Sequence, residues 1–200
     1  MYTDGYIERE SRVTFDAQCD LAAVVYSAGE EPDNLIAGFA DDLHHAGYRP
    51  VGVLQRGRTC HSEDPRFGVV MLPGGEVISL ASDGGTPTVG CRLDSDRLAG
   101  LAVQLAASIE DGADLVIINR FGRSEAEGKG LIDLVPLALD ADIPVLITVP
   151  EQRFAAWIRF SEGMNVRLAC QREALDRWWH KVSRPQRERS STATFCEFAK

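Results

Sequence analysis

The sequence predicts an α/β protein: a mostly parallel sheet with helices on both faces and a β-hairpin insertion. Three observations predict it. Short, continuous apolar runs recur along the chain, as strands buried on both faces require. Segments with helical apolar spacing separate most of them. One pair of runs instead flanks Pro73-Gly74-Gly75, with no room for a helix between them, and reads as a hairpin.

Residues 1–19 read as a flexible N-terminal arm, and Leu21-Ala22-Ala23-Val24-Val25-Tyr26 as the first strand. Ser27–Glu31 is a loop. Pro32 suits the first turn of a helix, where its missing N–H costs nothing. Leu35, Ile36, Phe39 and Leu43 then keep helical spacing as far as Gly47, a C-cap residue. Val51–Leu54 is the second strand, and the hairpin insertion covers about 67–81. Ser82–Gly90 is a loop. Asp94 or Ser95 caps a helix whose apolar stripe is Leu98, Leu101, Ala102, Leu105 and Ile109, and Gly112 ends it. Leu115–Ile118 is a strand, followed by a polar loop and a helix ending near Ala141. Pro144–Val149 is another strand. A helix through Phe154, Ala155, Ile158 and Phe160 stops at Gly163. Residues 166–169 form a short strand, and Ala174, Leu175, Trp178 and Trp179 mark a last helix. Residues 20–182 are thus expected to form one α/β domain, with 183–200 a flexible basic tail.

The chain has 200 residues, 44% of them hydrophobic and 26% charged, enough to bury a sizeable core. No apolar run reaches the roughly 18 residues of a membrane helix, and the N-terminus does not resemble a signal peptide. The expected location is therefore cytoplasmic, with no membrane partner. Five scattered cysteines without a CxxC pair indicate neither a disulfide framework nor a structural zinc site. Cys60, His61, Cys91, His44 and His45 match no zinc spacing, so no metal site is assigned. The net charge of −9 disfavours nucleic acid as a partner. Residues 1–150 hold 11 Lys+Arg against 24 Asp+Glu, whereas residues 151–200 hold 10 against 6. The basic end suits an acidic partner, a second copy of the chain, or solvent alone.

In sheets of this kind ligands bind at the carboxyl ends of the strands. A phosphate-binding loop after the first strand needs glycines, a lysine for the phosphates and a Ser/Thr for magnesium. Tyr26–Asn34 offers one glycine, no lysine and three carboxylates, which repel a triphosphate. The strand at 115–118 ends in Asn119, where a metal-binding acid would stand. The loop it enters carries Arg120, Gly122, Arg123, Ser124 and Lys129. Arginines beside a helix start, which Ser124 is placed to cap, suit a small anion. Alternatively, Glu125 and Glu127 neutralise those cations on a solvated surface. Of the 11 cations in residues 1–150, Arg56, Arg58, Arg92, Arg120, Arg123 and Lys129 sit in or beside three polar segments. Cys91 lies beside Arg92, either as a small buried residue or as a thiol facing the pocket. No Ser–His–Asp arrangement appears, no general base can be named, and no catalytic residue is assigned. Trp157, Trp178 and Trp179 suit helix packing or a subunit contact.

These segments carry a resemblance. Leu21–Tyr26, Val53-Leu54-Gln55-Arg56, Gly90-Cys91-Arg92-Leu93-Asp94 and the run Ile118-Asn119-Arg120-Phe121-Gly122-Arg123-Ser124-Glu125-Ala126-Glu127-Gly128-Lys129-Gly130 resemble a bacterial domain-of-unknown-function family. Members are often encoded beside molybdate-transport or molybdenum-enzyme genes. The resemblance covers roughly residues 20–162. The family in turn resembles a degenerate relative of the P-loop nucleoside-triphosphatases of the thermophilic NTPase type. That resemblance implies a three-layer, P-loop-like fold that has lost its phosphate loop and metal-binding acid.

The resulting expectation is a non-catalytic protein of molybdenum metabolism that binds a small anion. The candidate ligands are molybdate, an oligomeric oxomolybdate, a nucleotide or the phosphate of a pterin cofactor. The candidate ligand-binding residues are Arg56, Cys91, Arg92, Asn119, Arg120, Gly122, Arg123, Ser124 and Lys129. The partners considered are a second copy of the chain and a molybdenum-enzyme or transport protein. Two rival readings stand beside it: a divergent nucleotide hydrolase or transferase, and a protein-protein adaptor that uses Trp178, Trp179 and the basic tail as contacts.

Overall fold

The computed structural model describes residues 19–56, 68–80 and 95–183. The expectations for residues 1–18 of the N-terminal arm, Arg58, Cys60, His61, the 82–90 loop, Cys91, Arg92, Asp94 and the tail beyond Ser183 lie outside the described residues.

A seven-stranded sheet forms the middle layer. Its strands are β1 (Leu21–Tyr26), β2 (Pro50–Arg56), β3 (Gly68–Leu72), β4 (Val77–Ser79), β5 (Leu115–Ile118), β6 (Val145–Pro150) and β7 (Val166–Ala169). Their order across the sheet is β4-β3-β2-β5-β6-β1-β7. β2, β5, β6, β1 and β7 run parallel, and β3 and β4 add an antiparallel hairpin at one edge. The apolar runs at 21–26, 115–118 and 145–150 become the central strands because both their faces are covered. Where β2 meets β5, Gly52 pairs with Ile117 at φ +146°, and a Cβ there would overlap the Ile117 carbonyl. Only glycine allows the two backbones to approach so closely.

The helices are α1 (Pro32–His45), α2 (Ser95–Glu110), α3 (Arg123–Ala126), α4 (Leu134–Asp140), α5 (Phe154–Phe160) and α6 (Arg172–Val182). α1 and α6 cover one face: Ile36, Phe39, Leu43, Leu175 and Trp178 pack on Ala22, Val24, Ile117 and Leu146. α2, α4 and α5 cover the other, where Leu101, Leu105, Val135 and Trp157 meet Ala23, Val25, Ile118 and Ile147. Alternate residues of one strand thus feed two separate cores. α1 ends as Gly47 predicts. Gly47 takes φ +86° and donates to the His44 carbonyl, and Tyr48 N–H donates to the Leu43 carbonyl.

Three details differ from the sequence reading. Cys19 belongs to the packed body: its carbonyl accepts a hydrogen bond from Trp178 Nε1 at 3.0 Å. α5 stops at Phe160, because Ser161 already caps it and the turn continues through Glu162 and Gly163 in the left-handed region. Trp178 and Trp179 are 1% and 8% exposed, with Trp179 edge-on to Phe39 and Tyr48. They are core residues, which fits the helix-packing alternative and not their use as adaptor contacts, a role left to the basic tail.

Candidate functional site

β1 and β6 lie side by side, yet the chain leaves β1 for α1 on one face and β6 for α5 on the other. Connections that part in this way open a crevice at the strands' carboxyl ends. Loops 27–31 after β1, 119–122 after β5, 151–153 after β6 and Cys170 after β7 meet there.

The first of these loops is occupied by the protein's own carboxylates. Ser27 N–H donates to the Glu30 carboxylate at 2.6 Å, and Glu30 N–H returns to the Ser27 carbonyl at 3.2 Å. The Ser27 hydroxyl donates to Glu151 Oε2 at 2.7 Å. A phosphate at this turn would have to displace one negative group while facing the others. The three carboxylates read from the sequence therefore do more than repel a triphosphate, since one of them takes a backbone donor.

Asn119 closes the end of β5. Its Nδ2 donates to Asp33 Oδ1 at 2.8 Å, and its Oδ1 accepts from Thr148 Oγ1 at 2.6 Å. Asn119 is 4% exposed, so these bonds fix the amide's orientation. An aspartate at this position would set two carboxylates against each other, whereas the amide binds Asp33. The Asn119–Arg120 peptide bond is cis, and Phe121 N–H donates to the Thr148 carbonyl at 2.8 Å.

Arg120 follows directly. One terminal nitrogen lies 3.4 Å from Asp33 Oδ2, and the two side chains are 29% and 32% exposed. Its guanidinium carbon stands 5.9 Å from the centre of the Tyr26 ring. Arg120 Nε and the Tyr26 hydroxyl are both buried atoms with no hydrogen-bond partner among the described residues. Burial raises the Tyr26 pKa above its ordinary value, Arg120 and Arg153 oppose that rise, and Asp33 adds to it. Burial also raises the Cys170 thiol, and the negative charges of Glu30 and Asp33 add to the effect. The thiol therefore stays protonated at neutral pH.

The rest of the basic loop is organised by an acid. Glu125 Oε2 accepts the Gly122 N–H at 2.9 Å, reaching back across the start of α3. A Cβ on Gly130 would overlap Glu125 Oε1, and one on Gly122 would crowd Oε2. Both glycines make room for this carboxylate. Burial raises the Glu125 pKa, and hydrogen bonds from the backbone only partly offset the rise. Ser124 does not cap the helix: the N-cap position falls at Gly122, and Ser124 lies within the first turn. Arg123 is 83% exposed and pairs with Glu127 at 2.9 Å, and Lys129 reaches the same carboxylate at 3.8 Å. Arg123 and Lys129 are therefore tied up in exposed ion pairs with Glu127. Arg56 ends β2 opposite Gly68. Among the described residues, no group of three or more His, Cys, Asp or Glu is placed to hold a metal ion.

The crevice brings together Asn119 and Arg120 from the sequence candidates. Sequence reading passed over Tyr26, Asp33, Thr148, Arg153 and Cys170. Asp33 was visible in the same segment but counted only as a repulsive charge. Its pairing with residues 86 and 87 positions away depends on β1 and β5 ending on the same side of the sheet.

A family model described as a protein of unknown function (DUF2478) matches residues 21–178. The chain belongs to that family. The match extends past residue 162 to take in β7 and most of α6, segments for which the sequence reading had no counterpart. Over 167 residues the chain is 38% identical to a molybdenum import ATP-binding protein, ModC 2, of Bradyrhizobium diazoefficiens. That alignment covers 82% of this chain but only 18% of the relative, so the chain spans less than a fifth of the protein it matches. A solution structure of a human cancer-related nucleoside triphosphatase is similar at a TM-score of 0.54 and 16% identity, covering 89% of this chain and 99% of that one. That likeness is one of fold.

Proposed function

We propose that the crevice at the carboxyl ends of β1, β5 and β6 binds a small oxyanion, performs no chemistry of its own, and serves molybdenum metabolism. Arg120 carries this reading. Its guanidinium is reachable from solvent and stands over Tyr26, with an Nε–H that has no partner among the described residues. Arginine presents five donors in a planar fork suited to tetrahedral oxyanions. A buried donor left unpaired costs about 1–3 kcal/mol, which a ligand that completes the set removes. The Tyr26 hydroxyl is a second unpartnered donor in the same pair.

In this reading Asn119 holds Asp33 in place, while Gly122, Arg123, Ser124 and Lys129 form the rim that an anion passes. Arg56, Cys91 and Arg92 stay in the proposal as contacts suggested by the sequence alone. The molybdenum setting is supported by the name of the Bradyrhizobium relative. Its ATP-binding role is not carried across, because the loop at Ser27–Asn34 has no lysine and Glu30 occupies a backbone donor there. The ligand class is molybdate, an oxomolybdate, or the phosphate of a nucleotide or pterin cofactor.

Calorimetric titration with molybdate, tungstate and phosphate tests this reading, comparing the parent with Arg120→Ala. A charge-assisted contact is worth about 1.5–3 kcal/mol, so affinity should fall by about ten- to 150-fold. Equal binding by the variant removes Arg120 from the site and moves the adaptor reading ahead.

A further inference from the structure

We infer that the Arg120 crevice selects an oxyanion that still carries a proton, hydrogen phosphate being the simplest, over the fully ionised sulfate and molybdate. This inference rests on the oxyanion-binding reading and narrows its ligands to the phosphate candidates, setting molybdate itself aside. Its basis is that the cation of the site is never alone. Asp33 Oδ2 lies 3.4 Å from the Arg120 guanidinium, so an anion reaching Arg120 comes up against a carboxylate.

Asp33 is also held in place. Asn119 Nδ2 donates to its other oxygen at 2.8 Å, and Thr148 Oγ1 anchors the Asn119 amide at 2.6 Å. Thr148 is 1% exposed and belongs to the central strand β6, so this chain of bonds starts in the core. Swinging Asp33 aside would break it. Around Tyr26, Arg153 acts together with Arg120, and Asp33 acts against them. Glu30 stands close enough to act on Cys170 together with Asp33.

A fully ionised dianion would therefore meet Arg120 and a fixed carboxylate together, with repulsion strengthened by partial burial. An oxyanion with one O–H donates that hydrogen to Asp33, turning the repulsion into a charge-assisted hydrogen bond. Inorganic phosphate keeps a proton at neutral pH, whereas sulfate and molybdate keep none. A site built to bond a ligand hydroxyl rejects analogues without it, because its own polar group is left unpaired. Phosphate monoesters have the same chemistry in their monoanionic form, with a second pKa of about 6.

The test is calorimetric titration of the full chain at neutral pH with inorganic phosphate, glycerol phosphate, sulfate and molybdate. Binding of inorganic phosphate at least about tenfold tighter than both sulfate and molybdate upholds the inference, and glycerol phosphate, mostly fully ionised at neutral pH, should tighten as pH falls through about 6. Comparing the two below about pH 6, where both carry a proton, distinguishes free phosphate from an ester. Asp33→Asn removes the charge and keeps the shape, and should bring all four anions to similar affinity by tightening sulfate and molybdate. Thermal melts check that this variant folds, and the parent's own selectivity needs no variant. Sulfate or molybdate binding the parent as tightly as phosphate overturns the inference while leaving the oxyanion site standing. If none of the four binds the parent, the oxyanion reading and this inference fall together.

Discussion

Glu125 shapes the basic loop more than the arginines around it do. Its carboxylate takes the Gly122 N–H and fills the space left by the missing side chains of Gly122 and Gly130. Gly130→Ala should cost about 1–3 kcal/mol, since φ +75° strains any other residue and the new methyl overlaps Glu125. Chemical denaturation of the two proteins measures the loss. Burial raises the Glu125 pKa, so the folded state binds this proton more tightly than the unfolded chain does. The stability this provides is fully present below the ordinary carboxylate range and is lost as pH rises through the raised value. In thermal melts across that window, Glu125→Gln should gain on the parent as pH rises. A gap moving the other way would mean that the backbone hydrogen bonds to the charged form outweigh its burial. Nearby, Arg123 is 83% exposed and tied to Glu127, so Arg123→Ala should change anion affinity far less than Arg120→Ala. Calorimetry on the two single variants separates them. Sequence reading treated these arginines as equals, because neighbours in a loop look alike until the sheet fixes which one faces inward.

The helices and strands were legible where one physical pattern dominated. β1, β5 and β6 are buried on both faces and appear in the sequence as unbroken apolar runs. α1 carries both of its end signals, Pro32 and Gly47. The end of α5 was less legible, because a left-handed Glu162 precedes the glycine that seemed to mark the stop. α6 shows how an element's role escapes composition. Its two tryptophans suited helix packing or a subunit contact, and burial decides for packing: Trp178 is 1% exposed and its indole N–H donates to the Cys19 carbonyl. Arg172 ties the same helix to α1 through Asp42 at 2.6 Å, and to its own next turn through Asp176. Trp178→Ala should therefore destabilise the fold by about 3–5 kcal/mol, the usual cost of emptying a buried aromatic site. Urea denaturation reads the change. A loss below 1 kcal/mol, on the order of a surface substitution, would show that α6 packs more loosely than its burial indicates.

Across the whole molecule, strand order decides which residues can cooperate. Asp33 follows β1 and Arg120 follows β5, with β6 between the two strands, and the parallel arrangement brings all three carboxyl ends to one side. The sequence pointed to that end of the sheet and to Asn119 and Arg120. It could not show that Glu30 turns back on Ser27, because a hydrogen bond across a turn leaves no periodic trace. That bond shapes the last prediction. A nucleoside triphosphatase of this fold would need a lysine and free backbone donors in the loop after β1, and an acid at the end of β5 to organise magnesium. This chain has Glu30 on the Ser27 N–H, Glu151 on the Ser27 hydroxyl, and an amide at residue 119 committed to Asp33 and Thr148. Each of these features leaves a separate requirement of phosphoryl transfer unmet, so changing one of them cannot supply the reaction. Incubation with ATP or GTP and magnesium should therefore release phosphate no faster than buffer, and Glu30→Ala should be equally silent. Turnover that follows the purified protein and vanishes with Arg120→Ala would instead make the crevice a catalytic centre and bring the hydrolase reading forward.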